Sequence, residues 1–127
     1  MAKAKQEKDF QTQANEYAEG SIAGLRELLN QCTDEDDSPV QEDPLSVEVR
    51  SGWHFPGDVD ARPEEFCILL GTGGPASRII GNLDDYGQPG DCRFEYQDWG
   101  KPWTEARTTP KQDSTMLEYA RHFYFGE

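Results

Sequence analysis

Leu45-Ser46-Val47-Glu48-Val49-Arg50 alternates apolar and polar side chains at every step. Successive side chains of an extended chain point to opposite faces, so this stretch reads as a strand with one face buried. Glu65-Phe66-Cys67-Ile68-Leu69-Leu70 is apolar after its first residue, which suits a central strand. Gly71-Thr72-Gly73-Gly74-Pro75 turns the chain, and Ala76-Ser77-Arg78-Ile79-Ile80 leads back as a third strand. A longer turn, Asp84 to Gly90, precedes Cys92-Arg93-Phe94-Glu95-Tyr96-Gln97, which alternates again. Short connections between consecutive strands imply antiparallel pairing, so residues 45 to 98 predict a four-stranded meander.

A helix is expected on each side of this sheet. Ala14, Ala18, Ile22, Leu25, Leu29 and Cys32 recur at steps of four or three, and Leu28 widens the stripe they form. That spacing predicts a helix over residues 7 to 32. Gly20 and Gly24 each weaken it by about 1 kcal/mol relative to Ala, so its first half is expected to fray, with a break near Gly20-Ser21. Residues 33 to 44 read as an acidic linker, because like charges repel and Pro39 and Pro44 interrupt regular structure. A linker contributes little to a core, so replacing Asp34, Glu35, Asp36 and Asp37 together should leave stability almost unchanged. After the sheet, Pro110 ends what precedes it, and Asp113 or Thr115 can cap a second helix, Thr115 with Glu118 as a capping box. Met116, Leu117, Ala120, Phe123 and Tyr124 make its apolar face. The expected class is α+β: an N-terminal helix, a four-stranded antiparallel sheet and a C-terminal helix packed on it. The parts are residues 1–32, 33–44 and 45–127 of a single globular domain.

A chain of 127 residues holds one core. Its hydrophobic fraction of 35% is low, but three Trp, six Phe and five Tyr each bury a large area, which lets few residues fill that core. No window approaches the roughly 18 consecutive apolar residues of a membrane span, and the polar start Met1 to Gln6 lacks the apolar region of a secretory signal. Cys32, Cys67 and Cys92 are widely spaced and odd in number, which fits reduced thiols and a cytoplasmic location better than a disulfide framework.

Net charge is −13, and it is unevenly placed: residues 9 to 49 hold eleven acids against one base, Arg26. Binding to nucleic acid or an anionic membrane needs the opposite sign, so both are disfavoured as direct partners. An acidic face steers toward basic protein surfaces; the plainer alternative is that it only keeps the chain soluble. The carboxylates at issue are Glu16, Glu19 and Glu27 on the first helix, with Asp34, Glu35, Asp36, Asp37, Glu42 and Asp43 beyond it.

Other constellations read as structure. Gly71 to Pro75 follows a strand but opens no helix and carries no Lys-Ser/Thr, so a hairpin explains it better than a phosphate loop. The acidic run lacks the ligand spacing and central Gly of a calcium loop. His54 and His122 sit at no zinc-ligand spacing, and Cys67, within an apolar strand, suits inert core better than a nucleophile paired with His54. Asp84, Asp85 and Asp91 suit turn hydrogen bonding better than paired catalytic carboxylates. No catalytic residue, metal or cofactor is expected. In Phe94-Glu95-Tyr96-Gln97-Asp98-Trp99-Gly100-Lys101-Pro102-Trp103-Thr104, Trp99 and Trp103 either close the core over the sheet end or form a recognition surface.

Leu45 to Trp53 (LSVEVRSGW), Glu65 to Ala76 (EFCILLGTGGPA), Leu83 to Gly87 (LDDYG) and Phe94 to Thr104 (FEYQDWGKPWT) resemble a group of uncharacterised small acidic accessory proteins. These are encoded on plasmids, prophages and integrative elements of proteobacteria, and the similarity covers about residues 42 to 127. The resemblance implies a setting in which accessory genes serve transfer or counter host defence; it carries no activity and no catalytic residue. Together these features lead to an expected non-enzymatic binding protein that offers acid to a basic, nucleic-acid-binding host protein. DNA-mimic inhibitors such as anti-CRISPR and antirestriction proteins are the comparison, by analogy. The alternative is a structural or regulatory protein whose N-terminal stripe pairs with a second copy or a partner helix. A third reading is a small metal-dependent enzyme using Asp84, Asp85, Asp91 or His54.

Overall fold

Eight elements follow one another in the computed structural model, which describes residues 9–58, 61–72 and 75–125. Helix α1 (Phe10–Gln31) comes first, then a single turn of helix, α2 (Ser38–Gln41), and four strands: β1 (Ser46–Ser51), β2 (Pro63–Gly71), β3 (Ala76–Asn82) and β4 (Arg93–Gln97). A two-residue strand β5 (Thr104–Glu105) and helix α3 (Pro110–Ala120) complete the chain. The sheet is antiparallel throughout in the order β1-β2-β3-β4-β5. The meander thus has five strands, not four. The added strand is too short for a periodic signal and comes just after Pro102, a residue that cannot donate to a ladder. Gly73 and Gly74 of the hairpin turn, and the helix start expected at residue 7, lie outside the described residues.

Register explains which face is covered. Val49 opposes Phe66, Phe66 opposes Gly81, Ile68 opposes Ile79, and Ile79 opposes Phe94. Opposed residues share a face, so these line one side of the sheet. Phe66, Ile68, Ile79, Phe94 and Tyr96 are buried in one cluster with Ala14, Ala18, Ile22, Leu25 and Leu29 of α1 and Met116, Tyr119 and Ala120 of α3. The other face carries Glu48, Arg50, Cys67, Arg78, Glu95 and Arg93, and among the described residues no helix covers it.

Helix α1 runs unbroken through Gly20 and Gly24. The expected fraying does not occur because Ala14 and Ala18 are buried and Asp9 accepts a hydrogen bond from the Thr12 N–H at 2.7 Å, capping the first turn. Its stripe faces the chain's own core, so it is not exposed for pairing with a second copy. Helix α3 starts earlier than expected. Thr109, not Asp113 or Thr115, is the N-cap: it forms a capping box with Gln112, and Pro110 sits in the first turn, where its missing N–H costs nothing. The helix also ends sooner, at Ala120. The chain then turns through hydrogen bonds from His122 N to Tyr119 O and from Phe123 N to Ala120 O. Phe123 and Phe125 are buried, Leu117 is half-buried and Tyr124 is exposed, because helical spacing no longer applies beyond Ala120. No helix among the described residues is long and apolar enough to cross a membrane.

Candidate functional site

The acidic stretch after α1 is more ordered than a linker. Thr33 and Asp36 close a turn through paired backbone hydrogen bonds, and the Asp36 carboxylate accepts from the Ser38 N–H at 3.0 Å. Val40, the one apolar residue between Thr33 and Pro44, is fully buried. Asp37 Oδ2 accepts from His122 Nδ1 at 3.0 Å and from Gln41 Nε2 at 3.1 Å. Asp43 Oδ2 accepts from the Tyr119 hydroxyl at 2.8 Å. Two of the expected interaction carboxylates therefore latch this segment to the C-terminal helix and the turn beyond it. Asp34, Glu35, Asp36, Glu42 and Asp43 remain exposed, as do Glu16, Glu19 and Glu27 along α1.

The Asp37 latch, the Asp36 turn and the Asp9 cap carry a pH signature. The carboxyls of Asp9, Asp36 and Asp37 lie below the ordinary aspartate value, through hydrogen bonds from Thr12, from Ser38, and from His122 and Gln41 respectively. A folded-state pKa below the unfolded one gives stability that is complete above the unfolded value, about 4. That stability is lost as pH falls through the folded values. Thermal melts followed by circular dichroism should show stability falling below about pH 4, and Asp37→Asn should blunt that fall. Replacing Asp34 and Glu35 by amides should leave the melting midpoint unchanged, whereas adding Asp37→Asn should lower it. Of the four acids expected to be dispensable, Asp37 is the one whose side chain bonds both Gln41 and His122.

The two tryptophans separate. Trp103 is half-buried against the Arg78 guanidinium, which lies 4.0 Å from its ring centroid and bonds Glu95 at 2.7 Å. It is a cover for a cation on the helix-free face of the sheet. Trp99 stands exposed in the β4–β5 turn, where Gly100 takes a left-handed conformation, φ +69°. One is structural and one is displayed.

The other expected sites resolve into structure. Asp84 Oδ1 accepts from the Tyr86 and Gln88 N–H groups at 2.8 and 3.0 Å, and Asp91 holds Asn82 through its backbone and side-chain amides. Burial raises the Cys67 thiol and pushes Cys92 up to about 12, away from the thiolate a nucleophile needs. Among the described residues no group of three or more His, Cys, Asp or Glu is placed to hold a metal ion.

A cleft that sequence reasoning missed opens at one end of the sheet, with a volume of about 870 Å³. Three segments build it: the loop after β1 with Trp53 and His54, the start of β2 with Arg62 and Glu64, and the turn after β3 with Asp84, Asp85 and Tyr86. Asp84 fixes that last turn, and Gly87 supplies its left-handed residue, φ +76°. From the far end of the chain, buried Phe125 packs on Phe66 with ring centroids 5.0 Å apart and brings Tyr124 to the wall. Trp53, Tyr86 and Tyr124 are all exposed. Asp58, Glu64, Glu65, Asp84 and Asp85 line the cleft, with Arg62 the one Lys or Arg among the described lining residues, and Glu65 is ion-paired with Arg50 of β1. Charge and exposed aromatic surface coincide here. The residue-level signal was Trp53-His54-Phe55-Pro56-Gly57, large rings in a turn-forming stretch with no partner strand. No family model matches the chain, and no curated protein and no solved structure is found to be similar to it.

Proposed function

We propose that this chain is a non-enzymatic acidic binding protein that docks on a basic surface of a nucleic-acid-binding protein, in the manner of a DNA-mimic inhibitor of host defence. The observation that carries this reading is the cleft in which five carboxylates surround exposed Tyr86 and Tyr124. Carboxylates draw in a lysine or arginine side chain, and aromatic faces hold it once water is displaced. The resemblance to accessory proteins of mobile elements supports the same setting.

Magnitudes assign the acids of α1 a different part. At about 1.5 Å of rise per residue, Glu16 and Glu27 are roughly 16 Å apart along the axis. One DNA strand places a phosphate every 3.4 Å or so, about five charges over that length; Glu16, Glu19 and Glu27 supply three. The helix is a thinner line of charge than a nucleic-acid strand, and the turn at residues 34–36 thickens it. This surface steers association, and the cleft anchors it.

The test is stopped-flow binding to a fluorescent arginine-rich peptide over a range of salt. Changing Glu16, Glu19, Glu27, Asp34, Glu35 and Asp36 to amides should slow association and flatten its salt dependence. Tyr86→Ala with Tyr124→Ala should raise the off-rate about tenfold, as losing two cation–π contacts of 0.5–1 kcal/mol each would do. Equal binding of an uncharged peptide, or binding indifferent to salt, would remove the proposal.

A further inference from the structure

Five of the nine large hydrophobic side chains that stand exposed among the described residues come from one short stretch: Leu45, Val47, Val49, Trp53 and Phe55. That stretch is β1 and its flanks, and β1 is an edge of the sheet, paired on one side only, with β2. Its outer row of backbone N–H and C=O groups is therefore available to another strand. The opposite edge, β5, has two residues and offers little. β1 has no proline and no lysine; its charges are one acid and one base, Glu48 and Arg50, and the irregularity beside Arg50 places the extra residue in β2, at Glu64, so β1 keeps its alternation.

We infer that β1 is a self-association surface, on which a second copy of this chain pairs its own β1 antiparallel to give one sheet of ten strands. The identity of the occupant follows from register. A two-fold axis perpendicular to the sheet keeps the helix layers of both copies on one side, and opposed residues then share a face. Centred on Val49, the pairing opposes Val49 to Val49 and Val47 to Ser51. It also sets Glu48 of each copy against Arg50 of the other. Glu48 and Arg50 lie on the helix-free face, Glu48 beside Cys67 and Arg50 ion-paired with Glu65 of the adjacent strand, so Glu48 of the second copy joins a guanidinium that already holds one carboxylate. Carried past the strand end, the same register brings exposed Leu45 beside exposed Trp53 of the second copy.

The neighbouring registers fail. Centring on Glu48 opposes Glu48 to itself, and centring on Arg50 opposes two arginines; both place like charges face to face. A slip of one residue sets the valines against Glu48 and Arg50 and splits the apolar row. One register alone is both charge-complementary and apolar-matched. The seam is narrow for a protein interface, so the expected dimer is a weak, reversible one. It draws on Trp53, which also lines the cleft, but not on Tyr86 or Tyr124, so the charge-exchange test below and the tyrosine test of the binding function read different side chains.

Charge exchange tests the register on the full chain. Sedimentation velocity over the micromolar range should show the native protein passing from monomer to dimer. Glu48→Arg alone and Arg50→Glu alone should each weaken self-association about tenfold or more, since two opposed pairs per dimer turn from attraction to repulsion. An equimolar mixture of the two variants should restore a dimer, because each then meets its complement at both positions. Circular dichroism on each variant separates loss of pairing from loss of fold, and the mixture succeeds only if both are folded. A native protein that stays monomeric throughout overturns the inference. So do single variants that dimerise as well as the native chain, or a mixture of folded variants that stays monomeric.

Discussion

Phe123→Ala should cost about 3–5 kcal/mol, the range for deleting a large buried ring. Phe123 is 7% exposed and lies edge-on to Tyr119, with ring centroids 5.4 Å apart. Tyr119 is fully buried and is the donor to Asp43, so the ring that loses its neighbour also holds the acidic segment in place. Burial and the Asp43 carboxylate both raise the Tyr119 pKa, so its hydroxyl remains a donor across ordinary pH. The expected result is a lowered melting midpoint together with weaker amide protection in both α3 and residues 37–43. Loss of protection in α3 alone would show that the Tyr119–Asp43 contact holds without Phe123.

Gly81→Ala should be comparably severe for the opposite reason. Gly81 is buried in β3, and a Cβ there would overlap the backbone carbonyl of Asp91 and come within 2.9 Å of the Phe66 ring. Overfilling a packed site costs about 1–3 kcal/mol when side chains can shift. Here the obstacle is main chain, itself fixed by the two hydrogen bonds between Asp91 and Asn82. The expected cost is at the top of that range or beyond it. Urea titration should give a much lower midpoint for Gly81→Ala, while Gly20→Ala, with open space around it, should show none of this loss.

How far these features could be read in advance depends on how many residues each one repeats over. The alternation of Leu45 to Arg50 and of Arg93 to Gln97, and the stripe from Ala14 to Leu29, extend over several periods and were legible. Strand β5 and helix α2 have two and four residues, too few for a period, and Val40 gave no sign of burial in a run dominated by charge. Pro110 was read as a stop when it is an opening, because the same fixed φ serves both and only Thr109 and Gln112 decide between them. Tyr124 was placed on a helical face that had already ended. The carboxylates Glu16, Glu19 and Glu27 of α1 are exposed because their positions fall off the apolar stripe. The cleft was illegible for another reason: it joins residues 51–65, 82–88 and 124–125, and each piece by itself is a turn, a strand end or a tail.

The hydrogen bonds of α1 to the rest of the chain reach almost its whole length. Gln11 bonds the Glu105 carbonyl, Asn15 accepts from the Arg107 N–H, and Arg26 pairs with Glu118 across 92 positions. During synthesis this helix leaves the ribosome before the sheet it packs on, whereas each strand after β1 can pair with the one made just before it. At about 5–20 residues per second, the partners of α1 arrive roughly 5 to 18 seconds after it does. Until α3 arrives, the α1 stripe of alanine, isoleucine and leucine has only Val40 and the sheet residues already made to cover it, so α3 closes the core last.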